Sequence, residues 1–278
     1  MKFDAAGAAK QYYMKKIMIL TAAATLAACS SNQPKALVLY YSQTGATKAV
    51  AETIAGSLGA DIESIELSQP YDGDFQQTIE RCLTEKKDGV LPAVNPLSSD
   101  LSKYDVIFLG FPVWFGVAAP PVLSLAESMS FEGKKVVTFC TFGSGGLETG
   151  TENLRGRLKG AEVVEGYGVR NARIAKAPAE IETFLVNAGF KEGEVSVLPE
   201  FSEVRDVTDA DTVVFNAACG SYQMPLGEPL SVAERPVPGG VEYAFTAVTT
   251  DKDGQPAKNR IYVLALDGEA PEFTKVLR

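Results

Sequence analysis

Ala36-Leu37-Val38-Leu39-Tyr40-Tyr41-Ser42-Gln43-Thr44-Gly45-Ala46-Thr47 decides the fold. Ala36 to Tyr41 is an unbroken apolar run, the pattern of a strand buried on both faces. A polar turn containing one glycine follows. Val50, Ala51, Ile54, Ala55 and Leu58 then recur at helical spacing, with Lys48 and Glu52 facing away, until Gly59 stops the helix. A loop between a buried strand and a helix gathers free backbone N–H groups and the positive end of the helix dipole at one point.

Working outward, the same alternation repeats. Ile62 to Leu67, Asp105 to Phe111 (ending in Gly110), Lys135 to Cys140 and, more weakly, Ala161 to Glu165 read as strands. Phe75 to Thr84, Pro120 to Met129, Leu147 to Leu158 and Ala179 to Asn187 read as helices, the last ended by Gly189. Pro70, Pro92 and Pro96 break the remainder of residues 68–104. Strands alternating with helices predict an α/β fold, a doubly wound five-stranded parallel sheet with helices on both faces, over residues 35–189. Such a sheet binds its ligand at the carboxyl ends of the strands, beside the switch point.

Composition narrows the chemistry. The 278 residues carry a net charge of -9, and no basic cluster suited to a phosphate backbone is present, which disfavours nucleic acid as a partner. The chain has no histidine, which excludes Ser-His-Asp and Cys-His catalysis and histidine metal sites. Cys29, Cys82, Cys140 and Cys219 form no Cys-x-x-Cys pair. If Cys29 is modified, at most one disulfide remains open to the other three, with free buried thiols as the alternative. Hard chemistry in such a chain falls to a cofactor.

Three loops stand where a cofactor would sit. After the first strand, Ser42, Gln43, Thr44, Gly45, Ala46 and Thr47 offer hydroxyls and backbone N–H groups to a phosphate, without the Gly-Lys-Ser/Thr of a Walker loop or the GxGxxG of a dinucleotide fold. After the third strand, Pro112, Val113, Trp114, Phe115 and Gly116 supply a flat apolar wall; Trp114 is the single tryptophan. After the fourth, Thr141, Phe142, Gly143, Ser144, Gly145 and Gly146 leave backbone amides open. No side chain reads as a proton donor; Tyr41 and Cys140 lie near strand ends but suit the core.

Ser42-x-Thr44-Gly45-x-Thr47 resembles the phosphate loop of the flavodoxin family, and Gly110-x-Pro112-x-Trp114 resembles the flavin-flanking loop of its Trp-containing bacterial branch. The resemblance spans residues 35–189. It implies sheet order 2-1-3-4-5, FMN as cofactor and electron transfer through the flavin, with the third loop at the ring's polar edge. Phe142 departs from the pattern, where a smaller polar residue is expected. The resemblance implies no catalytic side chain and no metal. Three functions remain distinct: an electron carrier between a redox donor and an acceptor, an NAD(P)H-dependent FMN quinone reductase, and a flavin-free exported lipoprotein that binds a partner.

Both ends extend beyond this domain. Lys15 and Lys16, the short apolar stretch Ile17 to Ala28 and then Cys29 have the order of a secretory signal, too short to span a bilayer. Leu26-Ala27-Ala28-Cys29 resembles the bacterial lipobox, which implies a lipidated Cys29, removal of residues 1–28 and a membrane-anchored exported protein on a short tether, 29–34. Met1 and Met14 are both candidate starts.

Residues 190–278 read as a smaller C-terminal α+β domain. A helix capped by Asp209 is expected to run through Ala218. Strands follow at Pro229 to Val237, Val241 to Thr249, Arg260 to Leu266 and Phe273 to Leu277, with turns at Gly239-Gly240 and Asp253-Gly254. Pro236-Val237-Pro238-Gly239-Gly240 resembles the Gln-x-Val-x-Gly hairpin of cystatin-like domains, with Pro236 in place of the Gln and a shorter helix. The resemblance implies a cystatin-like shape rather than protease inhibition, and a partner-docking or lid module is the alternative reading.

Overall fold

Alternation along the first strand sets the layering. Leu37, Leu39 and Tyr41 join one buried cluster, and Val38 and Tyr40 join another on the opposite face of the sheet. The structure, a computed structural model, describes residues 34–250 and 254–278. The leader, Cys29, most of the tether and Asp253 of the second expected turn lie outside the described residues.

Strand β1 (Ala36–Tyr40) leads into helix α1 (Ala46–Leu58), and Gly59 ends the helix in the left-handed region at φ 61°. There follow β2 (Asp61–Ser64), α2 (Phe75–Asp88), β3 (Val106–Trp114), β4 (Val117–Ala118), α3 (Pro120–Ser128), β5 (Lys135–Phe142), α4 (Leu147–Arg155), β6 (Glu162–Arg170) and α5 (Ala177–Asn187). The parallel strands lie in the order β2-β1-β3-β5-β6, the doubly wound order expected, with β4 folding back on β3 as a short antiparallel partner. One face of the sheet packs α1 and α5 through Val50, Ile54, Ile181 and Leu185. The other packs α3 and α4 through Val122, Leu125 and Leu154. Each large apolar side chain removed from water in these layers contributes roughly 1.5–3 kcal/mol.

Several boundaries differ from the sequence reading. β3 does not end at Gly110 but runs on through Pro112 to Trp114. Gly110 is needed for packing: a Cβ there would stand 2.1 Å from the Phe139 ring on β5. Pro112 is tolerated because β1 has already ended, so no strand on that side requires its missing N–H. β2 is shorter than expected, and Leu67 instead makes an isolated bridge with Val94. α2 is longer, framed by the Asp74–Gln77 capping box and a left-handed Gly89. β6 extends to Arg170, past a register shift opposite Thr138/Phe139.

The C-terminal part forms its own antiparallel sheet, β11-β10-β9-β8-β7, from β7 (Arg205–Asp206), β8 (Glu228–Val237), β9 (Gly240–Thr250), β10 (Pro256–Leu266) and β11 (Glu272–Leu277). Helix α6 (Asp209–Cys219) covers it through Phe215 and Cys219. The cap of α6 is Thr208, not Asp209: Thr208 and Asp211 form a reciprocal capping box. The β8–β9 hairpin turns at Gly239, as expected, with Val237 opposite Gly240. Residues 35–278 form one compact unit holding both sheets. Cys82, Cys140 and Cys219 are free and buried.

Candidate functional site

β1, β3 and β5 are neighbours in the sheet, so the loops that leave their carboxyl ends are neighbours too. The site is assembled there, at the switch between strands that step toward β2 and strands that step toward β6.

In the first loop, the Gly45 N–H donates to Ser42 Oγ at 3.1 Å and closes the turn. Gly45 is the N-cap of α1 in the left-handed region, φ 91°, a conformation suited to glycine. No side chain caps the helix and its first turn carries no acid. The positive end of the helix is therefore open to an anion. Thr44 and Gly45 are exposed, Ser42 and Ala46 half-buried, and a Cβ on Gly45 would meet nothing within 4 Å. Gln43 braces the loop: its Oε1 accepts from the Tyr41 hydroxyl and its Nε2 donates to Tyr71 O at 2.5 Å. Thr47 is buried, its Oγ1 2.9 Å from Thr141 Oγ1, which ties the first loop to the third.

The second loop is a hairpin, with Val113 opposite Ala118 and Trp114 opposite Val117. Trp114 meets Tyr41 and Tyr71 edge-on, ring centres 5.9 and 5.4 Å away. Phe115 at the tip is half exposed and has φ 51°, the one non-glycine residue with positive φ among those described. Backbone held in that region clusters at ligand sites. Gly116 follows at φ 83°, and its carbonyl accepts from Thr149 Oγ1 at 2.6 Å. Pro112 is half-buried where the hairpin leaves the sheet, and its carbonyl accepts from the Ala119 N–H.

The third loop lies against the second. A Cβ on Gly146 would stand 2.6 Å from Val113 Cγ1. Thr141 and Phe142 are buried, Gly143 is exposed, and Ser144, Gly145 and Gly146 are half-buried. The Phe142 ring points into the core, where it crowds Gly168 on β6, so this departure from the family pattern alters packing beneath the loop. Gly143 has open space where a Cβ would be.

The phenols and thiol buried beside the loops are shifted toward their neutral forms. Burial pushes the Tyr41 phenol up. It does the same for Tyr71, whose hydroxyl also donates to Glu85 Oε2 at 2.5 Å. Burial also raises the Cys140 thiol well above its ordinary value. Among the described residues, no three or more Cys, Asp or Glu side chains group as a metal site would need.

Sequence reasoning missed Tyr71, which borders the site from the proline-broken stretch 68–104. Arg81 lies 4.1 Å over its ring and pairs with Glu85 at 2.8 Å. A surface pocket of about 450 Å³ opens beside it, lined by Tyr71, Asp72, Gly73, Gln77, Thr78 and Arg81. An isolated tyrosine after Pro70 carried no periodic signal. Its role comes only from the fold-back of α2 over Trp114's neighbours.

The residues fit FMN. An uncapped helix terminus with hydroxyls suits a phosphate, an aromatic hairpin suits a flat ring, and Gly45 and Gly143 leave the space that side chains would fill. A family model described as Flavodoxin matches residues 35–192. Among solved structures, the chain is 28% identical to a candidate flavoprotein from Bacteroides eggerthii, covering 55% of this chain and 99% of that one, with TM-score 0.47. It is 26% identical to a flavoprotein in complex with FMN from Lactobacillus acidophilus, covering 52% of this chain and 98% of that one, with TM-score 0.45. No curated protein matches. On the match over residues 35–192, the chain belongs to the flavodoxin family, whose cofactor is FMN.

Proposed function

We propose that this chain is an exported, lipid-anchored redox protein that passes electrons between a donor and an acceptor through bound FMN. The observation that carries the reading is the meeting of an uncapped α1 terminus, the Trp114–Phe115 hairpin and the glycine loop 143–146 at three adjoining strand ends. Bound flavin supplies one- or two-electron chemistry. The protein's own residues bind and orient. Ser42, Thr44 and the first N–H groups of α1 hold the phosphate. Trp114 and Phe115 exclude water from one face of the ring. The third loop meets the ring's polar edge. Export and the anchor at Cys29 rest on the order of residues 15–29.

Titrating the purified chain with FMN while following Trp114 fluorescence tests the reading. Saturable quenching near one FMN per chain is expected, weakened at least tenfold by Thr44→Ala with Ser42→Ala, a loss equivalent to about 1.4 kcal/mol. No binding at micromolar FMN would remove the redox function. Oxidation of NADPH by the purified protein with a quinone alone would recast it as a quinone reductase.

A further inference from the structure

The family match ends at residue 192, so flavin binding as such does not explain the C-terminal sheet. Its edge strand β11 lies against the third loop. The Val276 N–H donates to Ser144 O at 2.7 Å. Val276 O stands 2.3 Å from where a Cβ on residue 145 would be, so the strand approaches this closely only because residue 145 is glycine.

Arg170, at the end of β6, bridges the two parts. Its Nε donates to Gly143 O at 2.8 Å and its Nη1 to Phe273 O at 2.7 Å. The guanidinium also lies 4.2 Å over the Phe273 ring. Lys275 of β11 pairs with Glu148, in the first turn of α4, at 2.6 Å. The loop's side of these contacts is made by carbonyls and the Gly145 Cα. No N–H of residues 143–146 takes part among the described residues, so those donors stay out of the interface.

We propose that β11 and Arg170 form a clamp that fixes residues 143–146 in the shape the flavin ring meets. The C-terminal sheet is then a positioning module for the cofactor. The inference rests on the FMN reading above. An edge strand carries a row of unpaired backbone groups that must find partners. Here two of them are satisfied by the β5–α4 loop and by an arginine whose fork reaches two carbonyls at once.

Arg170→Ala removes both carbonyl bonds. Arg170→Lys keeps the charge but not the fork. Val276→Pro removes the one N–H that reaches Ser144, on the side of the strand away from β10. In the full purified chain, each is expected to weaken FMN about tenfold, the scale of losing hydrogen bonds of this kind. Riboflavin, which lacks the phosphate, should lose the same factor, because the ring loop and not the phosphate loop is disturbed. In FMN-free Arg170→Ala and Arg170→Lys, amide exchange should rise at Val276 and Gly150, whose N–H groups bond to the loop carbonyls of Ser144 and Gly146, while the interior of α1 keeps its protection.

Unchanged flavin affinity with unchanged exchange, in variants that keep the wild-type circular dichroism, overturns the clamp. A rise in exchange spread evenly over the chain makes the contact merely structural and overturns it too. A wild-type chain that binds no flavin overturns the reading of the site instead. The exchange comparison, made without flavin, still decides whether the loop is clamped.

Discussion

Gly110 shows how a residue read as punctuation is a packing device. It lies inside β3, and a Cβ there would fall 2.1 Å from a Phe139 ring that is fully buried. Gly110→Ala should therefore destabilise the protein by about 1–3 kcal/mol through overpacking. A lower urea midpoint with an unchanged slope would show it. An unchanged midpoint would mean that the β3–β5 layer adapts to the methyl group. Ser42, Thr44 and Gly45 were legible as a loop poised for an anion because their chemistry is local. Thr47 was legible only in part: its hydroxyl reaches Thr141, a partner that the sheet brings near and that no spacing along the chain reveals. Trp114 stood out as the single tryptophan, but the two tyrosines that hold it edge-on come from β1's end and from the stretch before α2.

Elements with strong apolar runs and helical periodicity, such as β1, α1, β5 and α5, were read within a few residues of their ends. Propensity failed where tertiary contact overrode it. Pro112 lies inside a strand because β1 ends opposite Gly110 and the Ala119 carbonyl that then faces it bonds into α3 instead, and β6 outruns its apolar stretch because β5 pairs with it to the end. Helix α6 carries a testable electrostatic feature. Hydrogen bonds from Arg205, at 2.6 and 3.0 Å, hold the Asp211 carboxyl well below the usual carboxylate range; burial pushes the other way and Thr208 adds to the lowering. A carboxylate whose folded value is depressed lends stability above its unfolded value, near 3.9, and loses it as the pH falls toward the folded value. Asp211→Asn should thus be less stable than wild type at pH 7, with the gap narrowing below about pH 4. Denaturant midpoints measured across that range check this. A gap that stays constant with pH would assign the effect to the cap geometry rather than to the charge.

At the scale of the molecule, the two sheets form one unit although only the first belongs to the family match. The lipid anchor proposed at Cys29 would hold this unit at a membrane. Expressed in a bacterium fed labelled palmitate, the wild-type chain should take up label and sediment with membranes, and Cys29→Ser should do neither. An unlabelled, soluble wild type would remove the anchor from the proposal. The long reach of the contact between Glu148 and Lys275, 127 residues apart, has a consequence in time. A ribosome adding about 5–20 residues per second needs on the order of ten seconds to pass from one to the other. Through that interval residues 143–146 exist without the strand that braces them, while the phosphate loop and the aromatic hairpin are already made. The nascent chain therefore has two of its three cofactor loops complete before the third. If the clamp governs the grip on the ring, tight loading with flavin waits for β11 to be synthesised, and a message cut short within β10 yields a product that folds its first sheet yet holds its cofactor loosely.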